Sequence, residues 1–275
     1  MQNSKSMDIS KYIEEQINNL KDIESSTYLV SILIHLQRAE AYYIQGKDDA
    51  HYFNDVVYRS NQAYEGALKE SFKILAGKTE DEVAKSTPNE IEKYFSSNNI
   101  FRERVLQLFK NYRQEWRNKS THDYKLLFDE SEAFIALTSV SSFVHLLLKQ
   151  IQEKVAYIIQ QQVLRKQENS LLLHLNSMVL SSEISQLDKL TNIIKEFVLQ
   201  NYEQIYSEKI NEISIIGKLY AFLESIDNII IQREPAISFG SSKIRPDFII
   251  EIDGKKIIIE IKRGNNIQVY TKNIQ

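Results

Sequence analysis

The chain has 275 residues, of which 43% are hydrophobic, enough to bury one large core or two ordinary ones. Its 34 Lys and Arg residues are balanced by 37 Asp and Glu residues, for a formal net charge of −3. This balance excludes a global positive field, so any nucleic-acid site must be a local patch. The chain has no cysteine, which excludes disulfides and cysteine-ligated zinc and fits a reducing compartment.

The N-terminal run MQNSKSMDISKYIEEQ has no apolar core of signal-peptide length. No window reaches the roughly 18 to 20 uninterrupted apolar residues of a membrane span. We therefore expect a soluble, cytoplasmic protein that has no membrane partner.

Before about residue 215, apolar residues recur at three- and four-residue spacing, which predicts amphipathic helices. Gly77 is expected to follow the end of one helix, and Thr87 to cap the next, with Pro88 at its first position. The polar run 161–170 is the best linker candidate. The helices are predicted at 8–20, 26–45, 49–76, 88–96, 100–117, 130–165, 171–201 and 204–226.

The C-terminal end has a different pattern. Four of the seven glycines and two of the three prolines lie beyond residue 215, and from Ile229 onward short isoleucine-rich runs alternate with them. Such runs are typical of strands, and Asp253-Gly254 between two of them is a strong signal for a tight hairpin turn.

Asp247, Glu260 and Lys262 form the leading candidate site. The predicted hairpin places Asp247 near the start of one strand and the other two residues near the end of the next, where antiparallel pairing brings both ends together. Two carboxylates are hard oxygen ligands suited to Mg²⁺, and the lysine can position the attacking water or stabilise charge on a phosphate. Glu-x-Lys on a solvated strand is ordinary by itself, but its combination with Pro-Asp and the Asp-Gly turn favours phosphodiester hydrolysis.

The runs RPDFII at 245–250 and IIIEIKR at 257–263 resemble the PD-(D/E)xK signature of restriction-endonuclease-like proteins. In that family an acidic residue on the preceding helix often completes the site, so the resemblance implies Asp247, Glu260 and Glu212 as Mg²⁺ ligands, with Glu224 as a second choice for the helical acid. The family core continues after the lysine strand, yet 13 residues follow Lys262 here. The domain is therefore expected to be C-terminally shortened, through truncation, continuation in a longer parent protein, or degeneration.

A second candidate site lies between two predicted helices, at Arg117 and His122. Histidine can manage proton transfer at a 2′-hydroxyl while arginine holds the phosphate, which is the chemistry of metal-independent RNA cleavage. The stretch WRNKSTHDY at 116–124 resembles the Arg-x4-6-His motif of HEPN domains. The resemblance would cover about 26–165 and implies an RNase that acts as a homodimer through the helical domain.

Residues of this helical part also have purely structural explanations. His122 could cap the following helix while Arg117 pairs with an acid. The aromatic residues, Trp116 among them, are better explained as core than as a platform on which bases stack. Basic residues cluster around the motif and mark where RNA would lie: Arg102, Arg104, Lys110, Arg113, Arg117, Lys119 and Lys125.

We therefore expect an α+β protein with a mostly α-helical, HEPN-like N-terminal bundle and a small α/β restriction-endonuclease-like domain. The expected divisions are 26–165, a helical linker at 166–203, and the nuclease-like domain at 204–275. The expected function is a nuclease of RNA or DNA in bacterial antiphage defence or a toxin system, with a Mg²⁺ site at the C-terminal end and a metal-free site in the helical part. The alternatives are an HEPN RNase whose C-terminal module only binds nucleic acid, and a non-catalytic dimerisation or scaffold protein.

Overall fold

A computed structural model describes residues 9–20, 26–98, 100–101, 103–117, 127–166, 170–206, 210–239 and 242–262. The chain is α+β, mostly helical with a small C-terminal sheet, as the sequence predicts. It divides into two compact units, Met1–Gln152 and Glu153–Gln275, here called the N-terminal and C-terminal units.

The helices that begin in the N-terminal unit are α1 (Ile9–Asn18), α2 (Ser26–Gln45), α3 (Tyr52–Ala76), α4 (Glu80–Lys85), α5 (Pro88–Ser97), α6 (Glu103–Tyr112) and α7 (Glu130–Lys166). A π-helical segment, Arg113–Arg117, continues directly from α6. Phe143 of α7 packs against Tyr64 of α3 and Phe109 of α6, with ring centroids 5.0 and 4.1 Å apart. These aromatic contacts place α6 and α7 side by side in the core of this unit.

The predicted helix ends in this unit are confirmed. Gly77 lies in the left-handed region with φ of 63° and donates its backbone N–H to Lys73 O. Thr87 caps α5 through a capping box with Glu90, and Pro88 is the first helical residue. Thr79 caps α4 in the same way with Glu82. That short helix was not predicted, because six residues are too few for a periodic pattern.

Two long helical predictions are wrong in detail. The single helix expected at 171–201 is two helices, α8 (Ser170–Leu180) and α9 (Gln186–Gln200), since the Ser185 side chain accepts from Asp188 N and starts a new helix. The one expected at 204–226 is likewise α10 (Tyr202–Tyr206) and α11 (Glu212–Glu224), with Asn211 as the N-cap of α11. Polar capping side chains interrupted a continuous apolar period in both places.

The strands of the C-terminal unit are β1 (Ile230–Arg233), β2 (Ile237–Phe239), β3 (Ser242–Ile244), β4 (Phe248–Ile252) and β5 (Lys255–Ile259). An antiparallel sheet has the order β1-β4-β5, and β2 pairs with β3 in a separate hairpin. The predicted Asp253-Gly254 turn joins β4 to β5, with φ of 49° and 76° at the two residues. Positive φ at both central positions is the type I′ geometry that suits a two-residue hairpin.

One hydrophobic core holds the C-terminal unit together. The central strand β4 buries Phe248, Ile250 and Ile252, and α11 buries Phe222 among them. Val179 of α8 and Ile193, Leu190 and Phe197 of α9 belong to the same cluster. The segment expected as a helical linker, 166–203, thus contributes directly to this core.

Among the residues that the structure describes, α7 is the one helix whose length and apolar composition would allow it to cross a membrane. Half of its most apolar window is buried in the fold. A core helix of a soluble protein passes the same test, so α7 is weak evidence for a membrane span.

Candidate functional site

The β4–β5 hairpin positions two of the predicted site residues. Phe248 pairs with Ile259 at the end of the ladder opposite the turn, so Asp247 and Glu260 come immediately beyond the last pair. The backbone N–H of Asp247 donates to Glu260 Oε2 at 3.3 Å, and that of Ile261 donates to Asp247 Oδ2 at 2.6 Å. These contacts tie the two acidic residues together through the backbone.

Lys262 and Glu212 complete the cluster. Lys262 Nζ lies 2.8 Å from Glu260 Oε1 and 3.7 Å from Glu212 Oε1. Glu212 is the first residue of α11, where the Asn211 cap fixes the start of the helix by accepting from Ser214 N at 2.8 Å. The structure thus brings together Asp247, Glu260, Lys262 and Glu212, three of them from the hairpin and one from a helix that precedes it.

Glu224, the second choice for the helical acid, lies at the other end of α11. Its carboxylate accepts a hydrogen bond from Tyr157 OH at 2.6 Å. It is twelve positions after Glu212 on the same helix, a separation of about 18 Å along the axis. The structure therefore groups Glu212, and not Glu224, with the hairpin residues.

Packing of α11 against α7 determines where Glu212 lies. Gly217 contacts α7 so closely that a Cβ at this position would overlap the carbonyl oxygen of Glu153. The Glu153 side chain also pairs with Arg233 of β1, whose guanidinium lies 4.5 Å from the ring centre of Tyr220. These contacts connect α7, α11 and the sheet within the C-terminal unit.

The charges of the cluster affect one another. Partial burial raises the pKa of Asp247, and the hydrogen bond from Ile261 opposes this effect. The negative charges of Glu260 and Glu212 also raise this pKa, whereas the positive charge of Lys262 lowers it. The hydrogen bond to Glu260 raises the pKa of Lys262, so this side chain is a protonated ammonium at neutral pH. A protonated lysine cannot act as a base, but it can donate hydrogen bonds to water or to phosphate oxygens.

The donor set suits a hard divalent cation by its chemistry, because the cluster includes three carboxylates, those of Asp247, Glu260 and Glu212. Across the part of the chain that the structure describes, however, no three acidic or histidine side chains converge closely enough to hold a metal ion together. Glu260 and Glu212 are instead directed at Lys262, whose ammonium neutralises part of their charge. The lysine side chain is 68% exposed, so the cluster is open to solvent and to a large substrate.

The second predicted site falls mostly outside the described residues. The backbone of Arg117 ends the π-helical segment, and nothing of its side chain is described. His122 lies in 118–126, which is outside the described residues. The predicted Arg117–His122 pairing therefore stays a prediction.

One member of the predicted basic patch has a structural role. Arg113 Nε donates to both carboxylate oxygens of Glu92 at 3.1 Å, and the Tyr64 hydroxyl donates to the same carboxylate. The Glu92 side chain is 3% exposed, so this is a nearly buried ion pair. Arg113 therefore stabilises the fold through its ion pair with Glu92, and its guanidinium is not directed at a phosphate site.

Sequence reasoning also passed over a feature next to the Arg-x4-His motif. The π-helical segment Arg113–Arg117 was expected to be ordinary α-helix, yet single π turns occur preferentially at functional sites. The sequence signal for a surface beside this segment was the run TSVSS at 138–142, which places hydroxyl groups within an otherwise apolar stretch of α7.

Comparisons of the chain with models of protein families, with curated proteins and with solved structures give no match.

Proposed function

We propose that the C-terminal unit is a Mg²⁺-dependent nuclease that hydrolyses phosphodiester bonds. The observation that carries this proposal is a cluster at one end of the β4–β5 hairpin, where Lys262 pairs with Glu260 and Glu212 and the backbone N–H of Asp247 donates to Glu260. The match to the PD-(D/E)xK pattern supports the same chemistry.

Each residue has a role that follows from its surroundings. Asp247, Glu260 and Glu212 would hold Mg²⁺, which supplies Lewis acidity toward the phosphate and lowers the pKa of a bound water. Burial is the main cause of the raised pKa of Asp247, and the negative charges of Glu260 and Glu212, which a divalent cation would offset, add to it. Lys262 remains protonated and would orient the attacking water or stabilise the developing phosphate charge.

The wider setting is also a proposal. The substrate would be RNA or DNA, the protein would act in the cytoplasm as a homodimer formed through its helical part, and its role would be antiphage defence or toxicity. These points depend on the resemblance to the two families alone.

The decisive experiment incubates the purified protein with duplex DNA and with single-stranded RNA, each with Mg²⁺ or with EDTA. We expect cleavage only with Mg²⁺, and a loss on the order of 100-fold or more in the Lys262→Ala and Asp247→Asn proteins. Lys255→Ala is the matched control, because Lys255 is an exposed lysine at the opposite, turn end of the same hairpin. Equal rates for Lys262→Ala and Lys255→Ala would refute the assignment.

A second candidate function is a metal-independent RNase at Arg117 and His122, with the C-terminal unit binding nucleic acid without cutting it. The π-helical segment that ends at Arg117 favours it, since such turns recur at functional sites. RNA cleavage that persists in EDTA and is lost in His122→Ala would identify this site as the enzyme. Unchanged nucleic-acid behaviour in both His122→Ala and Glu260→Ala would instead favour a non-catalytic scaffold.

A further inference from the structure

The N-terminal unit contains a cavity that the proposed nuclease does not use. It has a volume of about 360 Å³ and lies between α7 on one side and α6 with the π-helical segment on the other. Its wall includes the aromatic residues Tyr64, Tyr112 and Trp116 and the hydroxyl residues Thr138, Ser139 and Ser142. The volume falls within the range of roughly 300 to 1,000 Å³ that is typical of small-molecule sites.

One wall of the cavity is aromatic. The rings of Tyr112 and Trp116 stack with centroids 5.8 Å apart and an angle of 24° between their planes, and Tyr64 lies 5.0 Å from Tyr112. Tyr112 and Tyr64 are almost fully buried, whereas Trp116 is only partly buried. A large aromatic ring that remains partly exposed at the edge of a cavity provides a surface on which a flat ligand can stack.

The aromatic wall is held rigidly from behind. Tyr112 OH donates to Asn61 Oδ1 at 2.6 Å, and Tyr64 OH donates to Glu92, which also binds Arg113. These buried hydrogen bonds fix the orientation of two of the three rings before any ligand arrives. A preorganised wall loses little conformational entropy on binding.

The remaining lining selects the chemistry of the ligand. Ser139, Ser142 and Asn111 contribute hydroxyl and amide groups, and none of the described lining residues is charged. An uncharged, flat ligand that has hydrogen-bonding groups at its edge fits such a wall better than an ion does.

We propose that this cavity binds a nucleobase, stacked on Trp116 and contacted at its edge by Ser139 and Ser142. The base can belong to a single-stranded RNA or to a free nucleotide, because both present the same heterocycle. The cavity shares no residue with the Asp247–Glu260–Lys262 cluster, and its occupancy does not require that the protein cleaves nucleic acid.

The sequence offers a direct probe, since Trp116 is the sole tryptophan of the chain. Its fluorescence is followed during titration with AMP, with a short oligoadenylate, and with ribose 5-phosphate, which lacks the base. We expect a saturable change with the first two and none with ribose 5-phosphate. Tighter binding of the oligoadenylate identifies an RNA strand as the ligand, and equal binding of AMP identifies a free nucleotide.

Variants distinguish the cavity from other surfaces. Ser139→Leu and, separately, Ser142→Leu fill the cavity and are expected to weaken binding at least about tenfold. Ser131→Leu is the matched control, because Ser131 is an exposed serine in the first turn of the same helix and does not line the cavity. Circular dichroism verifies that each variant is folded.

Three results would overturn the proposal. They are the absence of any saturable change at millimolar nucleotide, a response to ribose 5-phosphate equal to that to AMP, and unchanged affinity in both cavity-filling variants when they are folded. Each can occur whether or not the C-terminal unit is a nuclease, so failure of one proposal does not decide the other.

Discussion

Gly217 is the position where a single methyl group should disturb both the fold and the candidate site. A Cβ built on this residue would overlap the carbonyl oxygen of Glu153 and lie 3.0 Å from the carbonyl carbon and 3.2 Å from Ala156 Cβ. The overlap with the carbonyl oxygen is the tightest of these contacts, so relieving it would require α11 to move away from α7 by about 1 Å. Backbone atoms cannot rotate aside as the end of a side chain can.

The size of the effect follows from two opposing terms. Replacing glycine by alanine in a helix interior stabilises it by about 0.8 to 1.0 kcal/mol, whereas overpacking a core contact costs about 1 to 3 kcal/mol. Because the neighbour is main chain, we take the upper part of that cost and expect Gly217→Ala to lower the free energy of unfolding by about 1 to 2 kcal/mol. Displacement of α11 would also shift Glu212 relative to Lys262 and is expected to reduce Mg²⁺-dependent cleavage.

Urea unfolding followed by circular dichroism measures this change. The matched control is Gly66→Ala in α3, where the new Cβ would lie 3.1 Å from the side-chain atom Ile32 Cγ1, which can shift. We expect this control to be neutral or stabilised by up to about 1 kcal/mol. If Gly217→Ala were as stable as the parent or more stable, the argument that backbone contact fixes α11 would be wrong.

Two further predictions concern charged groups. Glu92→Ala should lower the free energy of unfolding by about 3 to 5 kcal/mol, because it leaves the nearly buried Arg113 without its partner. The control Lys78→Ala breaks an exposed ion pair and should cost under about 0.5 kcal/mol. Equal costs for the two variants in urea unfolding would contradict this prediction. The pKa of Asp247 in the folded state is raised above its ordinary value of 3.8, so the folded state binds the carboxyl proton more tightly than the unfolded state does. The contribution of Asp247 to the free energy of unfolding therefore falls as the pH rises above 3.8. Asp247→Asn should therefore gain stability relative to the parent as pH rises from about 4 to about 7 without Mg²⁺, and a difference independent of pH would exclude the effect.

Local signals were read correctly from the sequence. The Thr87–Glu90 capping box, the left-handed Gly77 and the Asp253-Gly254 turn each depend on contacts within four residues, so the chain itself contains the necessary information. The same turn fixes the register of β4 and β5, which is why the proximity of Asp247 to Glu260 could be expected before the fold was known. Within 171–201, by contrast, the apolar period concealed the cap at Ser185, and a single helix was predicted where there are two.

Contacts between distant segments decided the rest. Both Glu212 and Glu224 lie on α11, and only the packing of that helix brings the first beside Lys262 and leaves the second with Tyr157. The pairing of Arg113 with Glu92 and the cavity beside Trp116 likewise depend on how α5, α6 and α7 meet. The sequence by itself determined the α+β class, the hairpin and the local pairing of its acids, because these follow from short-range geometry. Tertiary structure decided which helical acid joins them and which aromatic ring remains partly exposed, because burial depends on residues far apart in the chain.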